Sequence, residues 1–244
     1  MIESKNINKL LKKRLPAKTF NLIRKIGKWA EEYGSSAYLV GGCVRDLLLG
    51  VKNLDLDITL EANAIEFVQF LKTKIKLSAK TYRKFGTATI ILAGGFKIDL
   101  ASARRESYAH PAALPTVFLS SINDDLGRRD FSINAMAVNI NPDNFGQPLD
   151  LFNGQKDLQQ AKIRVLHDNS FIDDPTRILR AIRFEQRYGF KIEPKSLNLM
   201  YNAIASGLLE KLSGARFKRE FNLLLKEKQP QKVIARFNQL LNLK

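Results

Sequence analysis

The 244-residue chain holds a single cysteine, Cys43, so no disulfide can form within it, an economy that suits a reducing cytoplasm. Cys43 reads as a small packing residue with no catalytic part. Two histidines, His110 and His167, are too few and too far apart in sequence to suggest a zinc site. Hydrophobic residues make up 45% of the chain, yet no apolar run reaches the length of about 18 that a membrane span needs. The N-terminus, Met1-Ile-Glu-Ser-Lys5, has no apolar signal core, so export by that route is not expected. No Gly-x-x-x-x-Gly-Lys-Ser/Thr loop is present, which sets aside P-loop phosphoryl-transfer enzymes. Repeats and low-complexity tracts are absent as well. The length suits one or two domains with a sizeable core.

Acids are scarce at both ends. Residues 1–36 hold nine Lys/Arg against three Asp/Glu, and residues 176–244 hold fifteen against five, giving +6 and +10, the whole net charge of +16. The middle is therefore neutral. This segregation suggests a polyanion lying along the basic C-terminal part, with its end delivered to the neutral part. It speaks for nucleic acid in general.

Within that middle, Leu54, Leu56, Ile58 and Leu60 alternate with Asp55, Asp57, Thr59 and Glu61, the period-2 signature of a half-buried strand. Side chains two apart on a strand share a face, with Cα atoms roughly 6.5–7 Å apart. Two carboxylates so held, Asp55 and Asp57, can converge on a pair of Mg²⁺ ions for in-line phosphoryl transfer. The plainer reading is a solvent-facing sheet edge, since Asp is disfavoured in strands. Upstream, the apolar run Ala37–Val40 meets Gly41-Gly42, and a short helical pattern with Arg45 in its first turns follows. A strand that ends in glycines and opens a helix offers backbone N–H groups and a positive helix end to a phosphate. Glycines permit close approach, and Arg45 adds a charged fork. A tight turn without ligand has the same local pattern.

Two further segments carry clustered charge. Arg128-Arg129-Asp130, with Asn134, opens what reads as an apolar helix through Met136; it can hold a triphosphate and hydrogen-bond ribose hydroxyls, or be a capped surface helix. In Asp173-Asp-Pro-Thr-Arg177, Asp174 before Pro175 is a sound helix start. Arg177, Arg180, Arg183 and Arg187 then fall within roughly a 120° arc opposite Ile178, Leu179 and Ile182. An ordinary amphipathic helix with an Asp174–Arg177 pair explains the helix, but not an exposed face made almost wholly of arginine.

Strand, Gly-Gly, Arg45-Asp46, Leu48-Leu-Gly50 and then Asp55-x-Asp57 together resemble the signature of the nucleotidyltransferase superfamily, specifically the class II tRNA nucleotidyltransferases and bacterial poly(A) polymerases. The resemblance covers about residues 37–225. It implies an α+β fold: a nucleotidyltransferase-type mixed-sheet head over residues 1–166 and an all-helical neck over 167–244. It also implies that Arg128-Arg-Asp130 orients the nucleotide and reads its ribose. Asp174 and Arg177 become an amino-acid template for the incoming base. A carboxylate accepts from the exocyclic amine of cytosine or adenine while Arg donates to the ring nitrogen or adjacent carbonyl, and uracil presents the opposite pattern. The family usually has Glu where this chain has Asp173, which leaves Asp174 untouched. Asp150-Leu-Phe-Asn-Gly154, followed by Lys156-Asp-Leu158, resembles the motif leading from head to neck. Ser213-Gly-Ala-Arg216-Phe-Lys-Arg-Glu220 resembles the final neck motif, in which Arg216 and Glu220 brace the template helix; a surface ion pair is the alternative. Asp99, on a neighbouring strand, is the candidate for a third catalytic carboxylate.

The implied reaction is transfer of CMP and/or AMP from CTP and/or ATP to the 3′ end of RNA, most readily tRNA, with two Mg²⁺ on Asp55 and Asp57. Nucleotide contacts are expected at Gly41, Gly42, Arg45, Arg128, Arg129, Asp130, Asn134, Asp174, Arg177 and Arg180, and RNA contacts at Arg183, Arg187, Arg216, Lys218 and Arg219. CCA-adding, CC-only, A-only and poly(A) activities share these motifs, and an inactive RNA-binding relative is the alternative outside the enzymes. Many members continue into body and tail domains; this chain ends at Lys244, as a catalytic core or a compact member. Elements are expected as helix 16–33, strand 37–41, helix 43–49, strand 54–60, helix 62–73 and a hairpin over 79–100 turning at Gly94-Gly95. Residues 104–119, with two prolines and poor periodicity, read as a mobile loop beside the active site, and the rest as helical.

Overall fold

Leu56, Ile58 and Leu60 alternate with Asp57 and Thr59, and the same period recurs through Ala88, Ile90, Ile98 and Leu100. In the computed structural model, which describes residues 6–51, 55–92 and 96–241, these segments are strands of one seven-stranded mixed sheet. Leu54 and the expected Gly94-Gly95 turn lie outside the described residues. The chain divides into two compact units: residues up to 105 with 117–129 and 134–155, and residues 106–116 and 130–133 with 156 onward. The units interleave in sequence, whereas a sequential division places one boundary after 166.

In the first unit α1 (Asn8–Arg14) and α2 (Ala17–Glu32) precede β1 (Ala37–Val40), α3 (Gly42–Leu49), β2 (Leu56–Leu60) and α4 (Ala64–Lys74). Then come β3 (Ser78–Tyr82), β4 (Thr87–Ile91) and β5 (Lys97–Ser102). A separate two-stranded ribbon, β6 (Arg104–Ser107) with β7 (Thr116–Leu119), is crossed by the unit boundary. α5 (Ile122–Gly127), β8 (Ala137–Asn139) and β9 (Pro148–Leu149) complete the unit. The sheet order is β3-β4-β5-β2-β1-β8-β9, parallel between β2 and β5 and antiparallel elsewhere. The apolar face of this sheet is buried, and α4 packs on β4 and β5 with Phe67, Val68 and Leu71 inward. Each such side chain contributes about 1.5–3 kcal/mol by leaving water. Asn63 starts α4 by accepting from the Ile65 and Glu66 amides. A Cβ on Gly27 of α2 would sit 1.7 Å from the Ile140 carbonyl oxygen, so that close approach requires glycine.

The second unit takes α6 (Gly154–Gln159) from Lys156 onward, then β10 (Lys162–Ile163), α7 (Ser170–Asp173), α8 (Thr176–Tyr188), β11 (Lys191–Ile192), α9 (Pro194–Ala205), α10 (Gly214–Leu225) and α11 (Pro230–Leu241). Its core joins Phe131 and Phe171 to Ile178, Leu179, Ile182 and Met200. Gly189, at φ 65°, ends α8, and Glu193 caps α9 just before Pro194.

Several expectations are corrected. A helix precedes Pro16 as well as following it; seven residues are too few to stand alone, and α1 is held by its buried Leu11. The hairpin over 79–100 is three strands, because Arg83–Phe85 forms a 3-10 turn that Gly86 closes at φ 60°. The ends of 104–119 pair as a ribbon, β6 with β7, and residues 108–115 between them are a loop; both strands are largely exposed, so backbone pairing holds them without a core-facing stripe. Residues 128–136 open no apolar helix: a 3-10 turn over Ser132–Asn134 leads into β8, and its apolar residues are buried on all sides. Short strands β8 to β11 interrupt what reads as helical sequence, β10 and β11 pairing in parallel within the helical second unit.

Candidate active site

Parallel pairing of β2 with β5 sets Asp57 directly opposite Asp99. Thr89 of β4 is the next partner in that row, and its Oγ1 donates to Asp99 Oδ1 at 2.6 Å. A cavity of about 400 Å³ opens on this face, lined by Asp57, Thr59, Thr87, Thr89, Asp99 and Arg129. Burial pushes the Asp57 carboxyl up to about 6; Asp99 and Asp55 add to the rise, while Arg129 and Arg45 oppose it. Asp55 is exposed, one residue before β2, so the expected strand begins late and the Asp-x-Asp pair straddles its start. Among the described residues no three His, Cys, Asp or Glu side chains converge to hold a metal. The facing carboxylates are therefore Asp57 and Asp99. Cys43 is buried, and burial beside Asp57 pushes its thiol up to about 12, which fits a packing role.

This electrostatic arrangement has a measurable consequence. An Asp57 that ionises near 6 when folded, against 3.8 for the free group, holds its proton longer in the native state. Its contribution to stability is full below about pH 4 and is lost as pH rises through 6. Asp57→Asn removes that loss. The variant should gain about 2–3 kcal/mol on wild type between pH 4 and pH 8, at about 1.4 kcal/mol per pKa unit. Urea unfolding in EDTA at both pH values measures it; parallel pH dependence of the two proteins would refute the arrangement.

Gly41 ends β1 at φ 63° and ψ −126°, outside the range of ordinary side chains. A Cβ there would lie 2.4 Å from Arg129 Nη1, so glycine lets that guanidinium close on the backbone. The Gly41 N–H donates to the Met136 carbonyl at 3.0 Å, and Gly42 opens α3. Arg45 is buried rather than presented as an open fork: its Nη1 donates to Asn134 Oδ1 and its Nε to Asp46 Oδ1 at 2.8 Å. Arg128 and Arg129 both grip Asp125, at 2.7 and 2.8 Å. Burial alone would raise that fully buried carboxyl, but the two arginines outweigh it and hold it below the usual range. Sequence reading passed over Asp125, although an acid three and four residues before two arginines, at the end of α5, is a usable signal. Asp150 accepts from the Gly154 and Gln155 amides and so shapes the following turn.

In the second unit, Asp130 accepts from Arg180 Nε at 2.8 Å and from Arg180 Nη2. Asp174 accepts from the Thr176 amide and hydroxyl and from Arg216 Nη2 at 2.8 Å. Arg216 also donates to the Ala112 carbonyl at 2.7 Å. Asp174 thus forms an ion pair with Arg216, while Arg177, 4% exposed, donates to Ser170 Oγ at 2.6 Å. The arginine face of α8 is exposed only at Arg187, which corrects the sequence reading. Arg177 and Arg183 are buried, Arg180 is held by Asp130, and Arg187 by Glu227. Arg183 Nε and Glu220 Oε2 are buried without hydrogen-bond partners. Lys218 and Arg219 stand exposed on α10. Asp157, also passed over, is buried and accepts from Ser132 Oγ at 2.6 Å and Arg164 Nε at 2.9 Å.

Residues 37–164 match the poly(A) polymerase head-domain family. The chain is 45% identical over 239 residues to an A-adding tRNA nucleotidyltransferase of Geobacter sulfurreducens, covering 98% of this chain and 27% of the relative. An apo structure of a CCA-adding enzyme superposes with a TM-score of 0.94 at 48% identity, covering 97% of this chain and 56% of that one. The Thermotoga maritima CCA-adding enzyme in complex with tRNA superposes at 0.85 and 46% identity, covering 97% and 54%. The chain thus spans about a quarter of that first relative and about half of these two structures. No helix among the described residues is long and apolar enough to cross a membrane.

Proposed function

The chain belongs to the poly(A) polymerase head-domain family, and on that premise we propose that it adds CMP and/or AMP, from CTP and/or ATP, to the 3′ end of tRNA with release of pyrophosphate. The observation that carries this reading is the register that sets Asp57 opposite Asp99 on a cavity shared with Arg129. The facing carboxylates fit Mg²⁺, a hard cation that takes one or two carboxylates and completes its sphere with water and substrate phosphates. Asp57 is held from water with Asp99 facing it, and a divalent cation would offset both the burial and the like charge. Asp55 and Asp57 would hold it, with Asp99 facing Asp57 as the third carboxylate. Two such ions bound there would supply the charge that activates the attacking 3′-hydroxyl and neutralises the triphosphate.

The protein's own groups do the rest in this reading. Arg129, reaching the cavity from its anchor on Asp125, meets the triphosphate, and Arg128 shares that anchor. Gly41 lets the Arg129 guanidinium lie against the backbone, and Gly42 opens α3 beside it, so both glycines line the nucleotide's approach. Asp130 and Asn134 read the ribose, Arg45 holding Asn134 and Arg180 holding Asp130. Asp174 and Arg177 read the base edge, with Arg216 fixing Asp174. Lys218 and Arg219, with Arg187 beside Glu227, attract RNA, giving binding that weakens steeply with salt, while the buried Arg183 acts from inside the helical unit. The catalytic head would comprise residues 1–166 and the neck 167–244, acting in the cytoplasm.

Transcripts of tRNA ending before CCA, after C or after CC, given each nucleotide singly and in pairs with Mg²⁺, test the proposal by 3′-end sequencing. A defined addition of one to three nucleotides is expected, since a fixed protein pocket selects the base. Long A tails on any RNA would move the reading to a poly(A) polymerase, and no extension of any transcript would overturn it.

A further inference from the structure

The sheet face that bears Asp57 and Asp99 continues to the edge strand β3. Cross-strand partners direct their side chains to the same face. One row runs Asp57, Asp99, Thr89, Lys80, and the next runs Thr59, Ala101, Thr87, Tyr82. Lys80 and Tyr82 therefore stand on the carboxylate face. Both are exposed, Tyr82 at 49%. Immediately beyond, the 3-10 turn presents exposed Arg83 and Phe85, the latter at 52%. That turn is pinned: the Gly86 carbonyl accepts from the Ser102 amide and hydroxyl, each at 3.1 Å. The Phe85 carbonyl accepts from Arg104 Nη1 at 3.0 Å. Lysine alone would suffice to blunt an edge strand against aggregation. Here two large rings are held open to water on a fixed backbone, interleaved with cations. Rings that stack bases and cations that meet phosphates are the elements of a single-strand nucleic-acid site.

We propose that β3 and the turn after it form a stacking platform for the unpaired 3′-terminal nucleotides of the RNA primer. Tyr82 and Phe85 stack the bases, Lys80 and Arg83 meet the phosphates, and the strand end runs along the sheet toward Asp57 and Asp99. Strands spaced about 4.8 Å apart put β3 about 10 Å from β5, the rise of about three stacked nucleotides. This inference rests on the nucleotide-addition reading and adds to it the place where the primer end is gripped.

The test measures two quantities in wild type, Tyr82→Ala, Phe85→Ala, Phe85→Leu and Phe85→Trp. One is steady-state addition to tRNA lacking its 3′ nucleotides; the other is affinity for a fluorescein-labelled single-stranded RNA, read by anisotropy without catalysis. Each alanine variant should raise the KM for RNA and weaken RNA binding about tenfold, within the range found when a stacking ring is removed. The KM for nucleoside triphosphate and the Tm should stay within error, because both side chains are exposed. Phe85→Trp should behave as wild type. Phe85→Leu, apolar but without a stacking ring, should behave as alanine. An active wild type whose RNA KM and affinity are unchanged in both alanine variants overturns the platform and leaves nucleotide addition standing. Leucine equal to wild type also overturns it, in favour of apolar docking of a protein segment. An inactive wild type whose variants still lose RNA affinity supports the platform and removes the reading beneath it. An inactive wild type with unchanged affinities overturns both.

Discussion

Asp57→Ala should lower nucleotide addition by about 10³-fold or more, since losing metal-borne charge stabilisation costs several kcal/mol and each 1.4 kcal/mol is a factor of ten. The side chain faces the cavity rather than the apolar side of the sheet, so the fold should survive. Far-UV circular dichroism and a Tm at or above that of wild type would separate lost chemistry from lost structure. Asp99→Ala should follow it closely, because register places the two carboxylates opposite one another. Asp55→Ala should fall less far, since Asp55 is exposed and precedes the strand. Near-normal turnover of Asp57→Ala with Mg²⁺ would remove the two-metal reading.

Asp174→Ala should lose discrimination of CTP and ATP over UTP and GTP by about 10²-fold, while affinity for the triphosphate changes much less. A site built to accept from an exocyclic amine rejects a carbonyl in that position strongly, because two acceptors then face each other. The carboxylate also caps the start of α8 through the Thr176 amide and anchors Arg216, so the variant should lose about 1–2 kcal/mol of stability as well. Asp174→Asn separates these effects. It keeps an oxygen for the cap and so most of the stability, but changes the charge that faces the base and holds Arg216. Ratios of kcat/KM for the four nucleotides measure the outcome. Equal losses for all four in Asp174→Ala would reduce Asp174 to a helix cap.

Much of this arrangement is visible in local sequence, and the rest is hidden for identifiable reasons. The strand with Asp57 announces itself by alternation, and the turn at Gly41 by the meeting of an apolar run with glycines. Asp99 opposite Asp57 is a fact of register, which alternation along one strand cannot supply. The division of 79–100 into three strands has a signal in Gly86, which the reading of a single turn at Gly94-Gly95 leaves out. The segment after Asp130 looked helical because Phe131, Ile133, Ala135 and Met136 are all apolar. Phe131, Ile133 and Ala135 in fact alternate with Ser132 and Asn134, a strand-like period, but those two polar residues are themselves buried, so the alternation marks no solvent face. The arginines of α8 were misread for a different cause. Their partners Asp130 and Glu227 lie 50 and 40 residues away, so the helical wheel showed the cations without the acids that meet them. Arg183 and Glu220 belong to the same class, charged residues drawn inside by tertiary packing that no local pattern records.

The most direct test sets wild type and Asp57→Ala side by side on tRNA transcripts ending before CCA, after C and after CC, with ATP, CTP and Mg²⁺, and sequences every 3′ end after one fixed interval. The account predicts a defined extension of at least one transcript by wild type and unextended transcripts with the variant. Equal extension by both proteins would contradict it.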